Sequence, residues 1–162
     1  MGGYMRIVPI DSGYRKEADA LIREEWASQM IVSKGHLWDT SVLPGFVAVD
    51  DENVMCGVVT YRLSGSECEI ITLNSLKENH GIGSSLINAV IDTAKSNGCH
   101  RVWLITTNDN THAIRFYQKY GFSLIDVSMN ALIKYRELKP SIPLIGMDDI
   151  PLLHVFEFEI KL

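Results

Sequence analysis

The chain has 162 residues, 46% of them hydrophobic and 22% charged, a size and composition suited to one globular domain with a real core. Its formal charge is -5 with Lys and Arg scattered along it, which argues against a nucleic-acid partner and is compatible with a cationic amine substrate. Cys56, Cys68 and Cys99 form no C-x-x-C pair and have no nearby His pattern, so neither a disulfide framework nor a metal centre is indicated.

In chain order, Met5 to Pro9 reads as a short strand. Tyr14 to Trp26 reads as a helix in which Ala18, Leu21, Ile22 and Trp26 recur at helical spacing. Ala27 to Gly45 is mixed in character and is expected to be a loop with one helical turn. Phe46 to Val49 and Val54 to Leu63 are strand-like about the polar turn Asp50 to Asn53. Ser64-Gly65-Ser66 then leads into Glu67 to Leu76, giving a three-strand antiparallel meander. Leu86, Ile87, Val90, Ile91 and Ala94 make an amphipathic helix that stops at Asn97-Gly98.

Arg101 to Thr107 is a compact apolar run, and joining it to the preceding strand through one helix requires the crossover of a parallel pair. Asn110 to Tyr120 is a further helix capped at Gly121, and Phe122 to Ser128 a further strand. Asn130 to Leu138 reads as a helix, followed by a connection punctuated by Pro140, Pro143 and Pro151. At the C-terminus Phe156, Phe158, Ile160 and Leu162 alternate with Glu157, Glu159 and Lys161, the pattern of a half-buried strand. The fold expected is α/β (α+β): a mixed sheet with an antiparallel N-terminal meander and a central parallel β-α-β unit, flanked by helices. No charged-then-apolar leader opens the sequence, and no apolar run approaches the ~20 residues that cross a bilayer. A single domain over residues 1–162, cytoplasmic and without a membrane partner, is therefore expected.

The residues that carry chemistry lie between Glu69 and Phe122. Gly81-Ile82-Gly83-Ser84-Ser85 opens a helix, where glycines let a diphosphate approach the backbone and unpaired N–H groups favour its charge. Competing nucleotide patterns fit poorly: there is no G-x-x-x-x-G-K-[ST], and Leu86 stands where a dinucleotide turn wants a third glycine. On the following helix Asn110, Ala113, Ile114 and Tyr117 fall on one face.

Glu78-Asn79-His80-Gly81-Ile82-Gly83 and Asn110-x-x-Ala113-x-x-x-Tyr117-x-x-x-Gly121-Phe122 resemble the two signatures of the GNAT superfamily of acyl-CoA-dependent N-acetyltransferases. Glu78 departs from the Gln or Arg usual at the first position, and His80 stands where Arg is frequent. The resemblance covers about two thirds of the chain and implies acetyl-CoA as cofactor and an amine as acceptor. It implies that His80, Gly81, Ile82, Gly83, Ser84 and Ser85 hold the diphosphate. The backbone of Leu73, Asn74 and Ser75 would bond the pantetheine, and Asn110, Ala113 and Phe116 complete the cofactor site.

An amine attacking a thioester needs a deprotonated nitrogen, an oxyanion donor and an acid for the thiolate. By resemblance Tyr117 is that acid and Glu69 the base, although some relatives use a water chain. Glu67, on the same strand face, is an equal rival to Glu69. The alternative for Tyr117 is a packed aromatic, and for Glu69 a solvent-facing carboxylate. A second functional reading is a GNAT-like domain that binds acyl-CoA without turnover. A third is a homodimer paired through the Phe156-Phe158-Ile160 strand. The Asn130 to Pro151 insertion is expected to be a helix and a stiff loop, covering either the acceptor cleft or one edge of the core.

Overall fold

The computed structural model describes residues 5–77 and 80–162. Among these, nine strands and four α-helices make a mixed α/β fold whose main sheet is mostly antiparallel. The residues group into two compact units. One comprises the chain up to Ile31, Asp39–Val102 and Leu162; the other comprises Val32–Trp38 and Trp103–Lys161.

In the first unit, strands β1 (Arg6–Pro9), β4 (Gly45–Val49), β5 (Met55–Ser64) and β6 (Glu67–Ser75) are neighbours in that order and antiparallel throughout. Helix α1 (Arg15–Trp26) buries Ala18, Leu21 and Ile22 against Val47, Val49 and Val58. Helix α2 (Ile82–Ser96) buries Ile82, Leu86, Ile87, Val90 and Ala94. Gly57 faces Ile82 and Leu86 of α2, whereas its neighbour Val58 packs with α1. Because successive strand residues point to opposite faces, α1 and α2 cover opposite sides of these strands.

After α2 the chain enters β7 (Arg101–Thr107). His100 N–H donates to Ser66 O at 2.8 Å, and the Arg101 guanidinium grips Glu67 at 3.0 Å, so β6 and β7 start side by side. Side-by-side starts joined through one helix are the arrangement of a parallel crossover.

In the second unit the strand order is β7, β9 (Val155–Lys161), β8 (Ser123–Ser128). β9 is therefore an inner strand with Phe158 fully buried, and it cannot pair with a second chain as the sequence pattern suggested. The edge belongs to β8, exposed along its whole length and bulged at Ile125. A bulge of this kind blunts an edge against further pairing.

Helix α3 (Thr111–Tyr120) carries Tyr117 against Phe122 and Phe158. Helix α4 (Ala131–Leu138) places Leu132 in a cluster with Leu152 and Val155, against which Ile105, Tyr135 and Ile142 pack. The loop after α4 is fastened along its length by hydrogen bonds. Arg136 donates to the carbonyls of Ile142, Pro143 and Leu152 at 3.2, 2.7 and 2.6 Å, and Asn108 Oδ1 accepts from Leu153 and His154 N–H. Leu132 and Ile142 thus extend the core, while Ile133, Leu144 and Ile145 stay exposed.

The Ala27 to Gly45 stretch corrects the sequence expectation. It holds a hairpin, β2 (Met30–Ser33) and β3 (His36–Asp39), followed by a 3-10 turn at Thr40–Val42. Lys34 and Gly35 at its tip both have positive φ, 46° and 80°, as a two-residue type I′ turn requires. Four-residue strands and a Lys-Gly turn leave too short a period to read from sequence.

Candidate active site

The first unit assembles the start of α2 and the end of β6 around Gly57. A Cβ built on Gly57 would meet Ile82 Cγ2 at 2.6 Å, Asn74 O at 3.0 Å and Leu86 Cδ1 at 3.1 Å. Only a residue without a side chain lets the first turn of α2 press this closely on the sheet. Gly81 is the N-cap with φ 69°, a conformation that favours glycine, and no side chain caps the helix. The first intrahelical bond is Ser85 N–H to Gly81 O at 3.0 Å. The amides of Ile82, Gly83 and Ser84 therefore have no partner within the helix, and its first turn carries no acidic residue. Free first-turn amides at a helix N-terminus, with the helix dipole behind them, are the arrangement that favours an anion. His80 is exposed beside it; Glu78 and Asn79 lie outside the described residues.

Leu73, Asn74 and Ser75 end β6 opposite Val59, Val58 and Gly57. Asn74 Oδ1 accepts from Trp26 Nε1 at 2.7 Å, tying α1 to the strand end, and Ser75 Oγ donates to Lys77 O. Between Glu69 and this end lies a bulge. Tyr61 pairs with Ile70 and Thr60 with Thr72, so Ile71 is the extra residue. The bulge reverses the parity of the strand and places Glu69, Thr72 and Asn74 on one face, the Thr60 and Thr72 hydroxyls bonding there at 2.6 Å.

Glu69 is not solvent-facing. It is 2% exposed and accepts from Arg62 Nε at 2.8 Å. Glu67 is gripped by Arg101 at 3.0 and 3.2 Å. Both carboxylates weighed as bases are thus ion-paired, and either would have to share its oxygens with a guanidinium to take a proton. The Arg62 partner was readable in principle: counting back from the Gly65-Ser66 turn pairs Ser64 with Glu67, Leu63 with Cys68 and Arg62 with Glu69.

The second unit holds Asn110, Ala113, Phe116 and Tyr117. Asn110 Oδ1 accepts the Ala113 N–H at 3.3 Å and so caps α3. Ala113 and Phe116 are half-buried. Tyr117 is 8% exposed and lies edge-on to Phe116 and Phe122 at 5.5 and 5.6 Å. Burial pushes its phenol pKa above the ordinary tyrosine value, so its proton is held more tightly than in water, a state that a proton donor and a packed aromatic share. Cys56, Cys68 and Cys99 are buried thiols, with Cys68 pushed up to about 12 by burial. Sequence reasoning missed Gly57, the Ile71 bulge and the Trp26–Asn74 bond. Each depends on a tertiary contact, and none has a local pattern.

The family model described as the acetyltransferase (GNAT) family matches residues 11–122. The uncharacterized protein YdhI of Bacillus subtilis is 40% identical over 147 residues, covering 90% of this chain and 91% of that protein. Among solved structures, a GNAT family acetyltransferase from Elizabethkingia anophelis with acetyl-CoA bound has a TM-score of 0.69 at 20% identity, over 98% of each chain. A Bacillus subtilis acetyltransferase in complex with CoA has a TM-score of 0.71 at 16% identity, over 98% of this chain and 99% of that one. The chain belongs to the GNAT family of acetyltransferases. Among the described residues no helix is long and apolar enough to cross a membrane.

Proposed function

We propose that the protein transfers an acetyl group from acetyl-CoA to a primary amine of a small molecule or peptide, by direct attack in a ternary complex. The observation that carries this reading is the glycine-bearing first turn of α2, pressed onto β5 at Gly57 with its amides uncapped. Family membership and the acetyl-CoA or CoA held by structural neighbours support the same ligand. In this reading the amides from Gly81 to Ser85 hold the diphosphate, with His80 beside them, and the backbone of Leu73 to Ser75 bonds the pantetheine. Asn110, Ala113 and Phe116 complete the cofactor site. Tyr117 gives its proton to the departing thiolate. The attacking amine loses its proton to Glu69 or to a water chain.

The test is release of free thiol from acetyl-CoA against a panel of polyamines, aminoglycosides, amino acids and peptides, with mass detection of the acetylated product. One acceptor turned over above the hydrolysis background supports the reading. Tight acetyl-CoA binding with no acceptor across the panel favours the second reading, an acyl-CoA-binding domain without turnover. The specific observation behind that alternative is that Arg62 already engages the Glu69 carboxylate.

A further inference from the structure

The tip of the β2–β3 hairpin places Lys34 in an unusual setting. Its ammonium forms an ion pair with Glu157 of β9 and lies over the Trp103 ring of β7, 4.4 Å from the centroid. Its backbone N–H donates to the Tyr135 hydroxyl of α4 at 2.9 Å. The Glu157 side chain is 8% exposed and Trp103 5% exposed, whereas the Lys34 side chain is 47% exposed. A buried carboxylate and a buried indole face thus converge on a cation that reaches them from the surface. Carboxylate plus indole is the chemistry that recognises an alkylammonium group.

Charge strengthens the case. Asp126 of β8 stands directly opposite Glu157 in the strand register, and directly opposed residues share a sheet face. Like charges so placed repel, and the Lys34 ammonium paired with Glu157 offsets that repulsion. The Lys34 Cα sits at φ 46° on a turn, and Lys34 is not a member of the Leu132–Leu152–Val155 cluster.

The geometry points to a recognition site for an alkylammonium group of the acceptor, built from Glu157 and Trp103 and filled by Lys34 in the free protein. An acceptor with a second amine, such as a diamine or a lysine-like side chain, displaces Lys34 and is held by the same carboxylate and ring. The designation as an acceptor site rests on the acetyltransferase reading; the binding chemistry does not.

The experiment is a titration of 1,5-diaminopentane, without acetyl-CoA, into the wild type, Lys34→Ala and the double variant Lys34→Ala/Glu157→Gln. It follows the Trp103 indole N–H by NMR and binding by calorimetry. Lys34→Ala is expected to bind the diamine about tenfold more tightly than the wild type, and the double variant to lose that gain. A folded Lys34→Ala that binds no better than the wild type overturns the proposal and leaves Lys34 as a hairpin latch. Should Lys34→Ala not fold, the wild type decides. A saturable joint shift of Trp103 Nε1–H and the Lys34 side chain supports the site, and no shift at any diamine concentration overturns it. Because acetyl-CoA is absent, an inactive enzyme leaves this result untouched. In turnover, Lys34→Ala lowers the diamine KM at unchanged kcat; an unchanged KM despite tighter binding overturns the assignment to the acceptor.

Discussion

Arg62 donates from Nε to Glu69 Oε1 at 2.8 Å across the β5–β6 ladder, and Glu69 is almost fully buried where they meet. Removing the guanidinium takes an ion-pair partner from a buried carboxylate, so Arg62→Met is expected to cost up to about 3–5 kcal/mol in a melting or urea experiment. The Arg62→Met/Glu69→Gln double variant should recover most of that loss. If Glu69 is also the base, Glu69→Gln lowers turnover by about 10² to 10⁴ with an acceptor whose chemical step limits the rate. A Glu69→Gln enzyme that loses stability but keeps its rate would leave Glu69 a structural ion-pair partner and assign deprotonation to water.

Gly57→Ala inserts a methyl group where Ile82 Cγ2 and the Asn74 carbonyl already stand at 2.6 and 3.0 Å. Overpacking of this kind costs about 1–3 kcal/mol. Because the displaced atoms are the first turn of α2 and the end of β6, acetyl-CoA affinity should fall alongside the melting temperature. Gly65→Ala, at a turn where an added Cβ meets nothing within 4 Å, should lower the melting temperature through its positive φ and leave affinity unchanged. Equal affinity loss in the two variants would detach Gly57 from the site.

Tyr117→Phe keeps the ring among Phe116, Phe122 and Phe158 and removes only the hydroxyl. Acetyl-CoA affinity should hold while turnover drops by about 10² to 10⁴. Wild-type turnover in a chemistry-limited assay would make Tyr117 a packing residue.

Burial raises the Cys68 thiol from 9.0 to about 12. Above the unfolded pKa the unfolded chain loses this proton while the folded chain keeps it. The contribution to stability is therefore complete below about pH 9 and falls as pH rises towards 12, by roughly 1.4 kcal/mol per pH unit. Cys68→Ala should show an alkaline decline in stability shallower by that slope. Identical slopes from denaturant melts across this window would refute the shift.

The strands and helices were legible wherever period and punctuation agreed, as in α2, whose stripe from Leu86 to Ala94 ends at Asn97-Gly98. The Gly81–Ser85 turn was legible for the same reason: a helix start with glycines has local chemistry. The β2–β3 hairpin was hidden by four-residue strands. Alternation puts Glu157 on the polar face of a half-buried strand, yet Glu157 is buried and ion-paired with Lys34, distant in sequence. Alternation reports which face a side chain takes, and a tertiary partner decides whether that face sees water.

Calorimetry of acetyl-CoA binding to the wild type and to Gly83→Val tests the central claim most directly. Gly83 lies within the first turn of α2 and is not among the residues with positive φ, so valine is compatible with the helical backbone and adds bulk at the turn proposed to hold the diphosphate. The wild type should bind, with stability raised by about 2.7 kcal/mol at a hundredfold excess over its Kd. A folded Gly83→Val should lose that binding. Unchanged affinity in Gly83→Val would contradict the placement of the diphosphate on the α2 N-terminus.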